Sequence, residues 1–121
     1  MNPSNLEPGL ANDSRLLVAA FYAFTPLDDE RRETLLSSLP TLARNGSVLG
    51  SVLVAHEGVN GTISGPESAV DAVLDHLRAS LDLGDDHYAR LEVKRSWAEK
   101  PVFRRFKAVS YTHLTLPTRR G

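Results

Sequence analysis

The chain has no cysteine. Disulfides, thiolate zinc sites and a thiol nucleophile are therefore excluded, and any step that needs sulfur must be supplied from outside it. That absence suits a reducing compartment, and the expected location is cytoplasmic. Long apolar runs are missing as well. The longest, Leu16 to Phe24, has nine residues, whereas a membrane-spanning helix needs about 20. It follows a lone Arg15 without a small-residue cleavage site, so a buried strand is expected rather than a signal peptide, and no membrane partner is expected. No glycine-rich phosphate cradle precedes a helix, because the first apolar run leads into Phe24-Thr25-Pro26-Leu27. The four histidines, His56, His76, His87 and His113, lack compact metal-ligand spacing. No metal is expected, and His76 is read as solvated near the exposed edge of a helix. The adjacent acids Asp28-Asp29 and Asp85-Asp86 are explained by helix capping and solvation.

What is present suits one small domain. The 121 residues are 41% hydrophobic and 24% charged, ordinary values for a globular chain with a single modest core. The net charge of −1 hides an uneven distribution. Residues 1 to 93 carry six basic and fourteen acidic side chains, whereas residues 94 to 107 carry Lys94, Arg95, Lys100, Arg104, Arg105 and Lys107 against Glu99 alone. A phosphate-bearing partner is drawn to local cationic density more than to net charge.

Leu16 to Phe24 is uncharged and reads as a central strand buried on both faces. Asp28, Asp29 and Glu30 open a helix whose packing face is Leu35, Leu36, Leu39, Leu42 and Ala43. Pro40 is expected to kink or split that helix, and Asn45-Gly46 to close it. Val48 to Ala55 and Val59 to Ser64 read as a strand pair, the second placing Val59, Gly61 and Ile63 on one face and Asn60, Thr62 and Ser64 on the other. Pro66 suits the first position of a second helix that buries Ala69, Val70, Val73, Leu74 and Leu77. Gly84-Asp85-Asp86 breaks the pattern, and a last strand alternates around Leu91 and Val93. The order βαββαβ predicts an α+β, ferredoxin-like sandwich: a four-stranded antiparallel sheet with both helices on one face and the first and third strands central.

The stretch AHEGVNGTISG, Ala55 to Gly65, sets His56, Glu57 and Asn60 around a glycine-permitted turn. An imidazole and a carboxylate there can orient each other for proton transfer or hold a substrate amide or hydroxyl. Equally, Glu57 and Asn60 can satisfy turn amides while Gly58, Gly61 and Gly65 shape the hairpin. The basic stretch also carries Trp97, Phe103 and Phe106. Cations interleaved with aromatics suit an RNA-contacting surface, and they suit a solvated connector anchored by its rings just as well.

VAAFYAFTPL (Val18 to Leu27), VLVAHEGVNGTISG (Val52 to Gly65) and KRSWAEKPVFRRFK (Lys94 to Lys107) together resemble the amino-terminal domain of the rhodanese-related tRNA uridine hydroxylases of bacteria. The resemblance covers about residues 16 to 107. It implies tRNA as partner, oxygen-dependent hydroxylation of the wobble uridine with molecular oxygen as co-substrate, and a catalytic cysteine in a rhodanese domain absent from this chain. On that basis the chain alone has no catalytic residue, needs no cofactor of its own and is inactive. His56, Glu57, Asn60, Lys94, Arg95, Arg104, Arg105 and Lys107 become candidate contacts to tRNA or to the missing domain. Residues 1–14 are expected to be a flexible segment, 15–98 the domain, 99–107 a basic connector and 108–121 a foreign tail, since Val109 to Thr118 resembles translated sequencing-adapter read-through. Acylphosphatase, another enzyme of this fold, is disfavoured because its glycine-rich first loop and arginine are missing. The competing class is a non-enzymatic ligand-sensing or protein-interaction module of the same fold.

Overall fold

The computed structural model describes residues 15–81 and 90–110. The expected flexible segment 1–14, the Gly84-Asp85-Asp86 break, His87, His113 and most of the expected foreign tail lie outside the described residues. The elements are β1 (Leu16–Phe24), α1 (Asp29–Gly46), β2 (Leu49–Ala55), β3 (Gly58–Gly65), α2 (Glu67–Leu81), β4 (Glu92–Ala98) and β5 (Phe106–Ser110). They form one sheet of order β4-β1-β3-β2-β5, with β1 and β3 central as expected. β1 pairs antiparallel with β3 and β4, and β2 pairs antiparallel with β3.

The four-stranded antiparallel sheet needs correction. A fifth strand, β5, pairs parallel with β2, from Gly50↔Phe106 to Val54↔Ser110, so the sheet is mixed. The physical reason is the edge: with four strands β2 would expose a full row of backbone donors and acceptors, and Phe106–Ser110 pairs with that row. Phe106 and Ala108 then pack against the core. Only five residues alternate here; in sequence Phe106 and Lys107 read as the end of a charged connector and Ala108 to Ser110 as the start of the foreign tail, so no strand is expected there.

Both helices lie on one face. Leu17, Ala19, Phe21 and Ala23 of β1 point into a core that contains Leu35, Leu39 and Ala43 of α1 and Val70, Val73, Leu74, Leu77 and Leu81 of α2. Each fully buried leucine or phenylalanine side chain contributes about 1.5–3 kcal/mol relative to exposure. The intervening residues of β1, from Leu16 to Tyr22, are only half-buried. Among the described residues no helix covers the second face, so the expectation of burial on both faces is corrected. An uncharged strand can border an open face when that face is itself apolar.

Helix α1 starts as expected: the Asp28 carboxylate caps it, accepting from the Arg31 amide at 2.8 Å. Pro40 does not divide it; the helix runs unbroken through Gly46. Its end differs from expectation. Ser47, at φ 59°, takes the left-handed position that usually selects glycine. Gly46 is helical, and a Cβ there would lie 2.7 Å from the Ala69 Cβ of α2. The glycine therefore serves the approach of the two helices, one residue before the turn it was expected to make. Helix α2 begins one residue later than the proline suggested, with the Pro66 carbonyl accepting from the Val70 amide at 2.9 Å.

These positions predict opposite responses. In urea unfolding, Gly46→Ala should lose about 1–3 kcal/mol through overpacking, whereas Ser47→Gly should gain up to about 1 kcal/mol by relieving the left-handed backbone. A stabilised Gly46→Ala would show that the helices have room to spare.

Candidate functional site

The candidate residues fall into three places. His56 and Glu57 form a two-residue loop between β2 and β3, with both side chains exposed. Their carbonyls are engaged by the segment after β1: the Thr25 amide donates to Glu57 O and the Leu27 amide to His56 O, each at 2.9 Å. Gly58 follows at φ 143°, and a Cβ there would lie 1.9 Å from the Ala23 carbonyl oxygen. At Gly61 a Cβ would meet the Ser51 carbonyl oxygen at 2.3 Å and the Phe21 ring at 3.0 Å, and Gly65 is tight against Ser47 and Val48. The close approaches that these glycines permit are made by the chain itself.

Asn60 lies elsewhere, on the face of the sheet that the helices leave open. It is 8% exposed and sits between Tyr22 of β1 and Leu53 of β2. The next row across that face runs Lys94, Ala20, Thr62, Ser51, Lys107, from one edge strand to the other. Small side chains thus fill a row with a lysine at each end. Beside it stand Tyr22 and the 47% exposed Phe24, with ring centroids 6.3 Å apart and planes tilted by 59°.

The remaining cations lie at the far end of the sheet. β4 and β5 occupy opposite edges, so residues 99–105 must cross four strand spacings, about 19 Å. This strap is tied down where the Gly50 amide donates to Arg105 O at 2.9 Å. Lys100, Arg104 and Arg105 on it are exposed. Measured along β1, the strap end and the His56-Glu57 loop are separated by about 26 Å. The fold therefore does not unite these two clusters.

Two adjacent cations of the basic stretch part company. Lys94 faces the open side, while Arg95 faces the helices and pairs with Asp71 of α2 at 2.9 Å. Trp97 shares the helix side, where the Arg15 guanidinium lies 4.8 Å from its ring centroid. Phe103 is half-buried in the strap and Phe106 packs on the core. Trp97 and Phe106 thus sit away from the open face, and the open-face rings, Tyr22 and Phe24, come from a strand that the sequence pattern assigns to the core. The signal that could have found them is the spacing of two aromatics at i, i+2, which puts both on one side of a strand. His76 also departs from the solvated reading: it is half-buried and shares a 2.8 Å hydrogen bond with Ser38 Oγ across the two helices. Among the described residues, no group of three or more histidines and carboxylates is gathered to hold a metal, and no helix is long and apolar enough to cross a membrane.

Residues 16–110 match the family described as the UPF0176 acylphosphatase like domain. The chain belongs to that family. Relatives of this UPF0176 domain include the tRNA uridine(34) hydroxylase of Synechococcus sp. (strain CC9605), 97% identical over 108 residues that cover 89% of this chain and 33% of that protein. A protein of the same name from Parasynechococcus marenigrum (strain WH8102) is 74% identical over 95 residues, covering 78% of this chain and 30% of that one. The chain spans about a third of the length of these curated relatives. Among solved structures, a bacterial light-regulated adenylyl cyclase superposes with a TM-score of 0.57 at 12% identity, covering 78% of this chain and 28% of that chain. That similarity shows a shared fold alone. The acylphosphatase likeness in the family description is also one of fold. In the loop after β1 the Thr25 and Leu27 amides are engaged by the hairpin and Pro26 has none, so these three positions offer an anion no cradle.

The hairpin separates architecture from display. Gly58→Ala should destabilise the UPF0176 domain by at least about 2 kcal/mol, through both its dihedral and the Ala23 carbonyl. His56→Ala should stay within about 0.5 kcal/mol of the parent. Thermal unfolding followed by circular dichroism compares the two, and equal losses would contradict this division.

Proposed function

We propose that this chain is the amino-terminal part of an enzyme that hydroxylates the uridine at position 34 of tRNA, and that it contributes a tRNA-contacting surface rather than reacting groups. The observation that carries the reading is 97% identity to a Synechococcus protein named for that activity. The lack of cysteine fits it, since the resemblance places the catalytic cysteine in a rhodanese domain, which would lie in the two thirds of the relatives that this chain does not span. Molecular oxygen as co-substrate belongs to that same distant site. In this reading the chain works in the cytoplasm, with tRNA and the rhodanese domain as its partners.

Electrostatics support a binding role. Lys100, Arg104 and Arg105 of the strap and Lys107 of β5 lie exposed on a scaffold that holds the strap across the end of the sheet. Cations so placed attract phosphates regardless of base sequence, and each phosphate neutralised releases counterions. Their task would be to orient the tRNA, while base selection and chemistry lie with other groups.

The test joins this chain to the remainder of the Synechococcus relative and replaces Arg104, Arg105 and Lys107 together by alanine. Affinity for tRNA in a filter-binding assay should fall about tenfold or more at moderate salt. The slope of log affinity against log salt should flatten by roughly 0.7–0.9 for each phosphate contact removed. A triple variant that binds tRNA like the parent, with unchanged salt dependence, would refute the reading.

A further inference from the structure

Apart from Lys107 at its edge, the open face of the sheet is left unused by the tRNA reading. Its centre, β1 and β3, carries Tyr22 half-buried and Phe24 47% exposed, side by side on a strand hydrogen-bonded along both edges. The strand pairing fixes the backbone that carries those rings, so a planar partner would find them side by side on one face. The residue opposite Phe24 is Gly58, which has no side chain to cover the ring. Thr62 and Ser51 in the adjoining row bring hydroxyls, and Lys94 and Lys107 close that row at its two ends.

Charge tells which class of partner suits this face. The helices and the α1 cap carry seven carboxylates against four arginines. On the open face Glu92 is paired with Arg90 at 3.0 Å, and the other charged side chains of the strand rows there are Lys94 and Lys107. A polyanion is thus repelled from the helix layer and drawn to the sheet. A duplex presents its phosphates outward and keeps its bases stacked on one another, so it cannot use the two rings. A single strand can lay bases on aromatic rings and phosphates near lysines.

We infer that the open face, with Tyr22 and Phe24 as stacking rings and Lys94 and Lys107 as flanking cations, binds an unpaired segment of RNA. The inference rests on the tRNA reading above and goes beyond it. It assigns base contact to β1, which the basic stretch does not include, and it specifies an unpaired loop rather than a helical stem.

The experiment uses the 121-residue chain with a 12-nucleotide single-stranded RNA carrying one 4-thiouridine, the same RNA annealed to its complement, and an intact tRNA. Irradiation of the unaltered chain should crosslink the single strand to Tyr22 or Phe24, mapped by mass spectrometry. Tyr22→Leu and Phe24→Leu keep an apolar side chain and remove the ring; each should weaken single-strand binding about tenfold, the loss expected of one base stack. Lys94→Ala with Lys107→Ala should lower the salt slope by about 1.4. The duplex should bind more weakly and be indifferent to the two ring variants. Crosslinks confined to the strap or the helices, with both leucine variants binding like the parent, would overturn the inference and leave the tRNA reading standing. Failure of the chain to bind any of the three RNAs, joined by failure of the strap test above, would overturn both. Deuterium-exchange protection of β1 by the remaining two thirds of the Synechococcus relative, with no RNA competition, would make the face a protein-docking surface and overturn the inference alone.

Discussion

Everything in this domain hangs on the pairing of β1 with β3. β1 is hydrogen-bonded on one side to β3 and on the other to β4, so its alternation fixes two surfaces at once. Leu17, Ala19, Phe21 and Ala23 set the floor of the core, while Tyr22 and its neighbours set the open face. A slip of one residue would exchange the two, driving the core side chains into solvent. The glycines of β3 belong to the same constraint. At Gly58 and Gly61 the backbone of a neighbouring strand comes too near for any Cβ, so the geometry of the pairing is written into residues without side chains.

Much of this was legible in the sequence because the signals were local. The bounds of β1, the capping carboxylate of α1, the two faces of β3 and the central place of β1 and β3 follow from periodicity and turn chemistry. What escaped was non-local. β5 is a short segment whose reason for being a strand is the unpaired edge of β2, some fifty residues earlier in the chain. Gly46 reads in sequence by its backbone habit, but packing decides it: Gly46 yields space to Ala69, and the left-handed turn falls to Ser47.

The candidate site was legible as a list of residues but not as a place. Lys94 and Arg95 are neighbours in sequence and face opposite sides of an edge strand, one open to solvent and one tied to Asp71. His56 and Glu57 are separated from the strap by the length of the sheet. Tyr22 and Phe24 were hidden because an apolar open face and a buried face look alike until the helices are known to lie on one side only. The geometry divides the hairpin residues into those that shape it and those that are displayed.

The strap has a bearing on how the molecule comes into being. Ribosomes release chains from the amino terminus, so β2 and β3 can zip together while β5 is still being made. Until the strap has been laid across the sheet, β2 presents an unpaired edge to any other nascent chain. The last described strand is thus a late cover for an early liability, and the charged residues of β4 guard the opposite edge from the moment it forms.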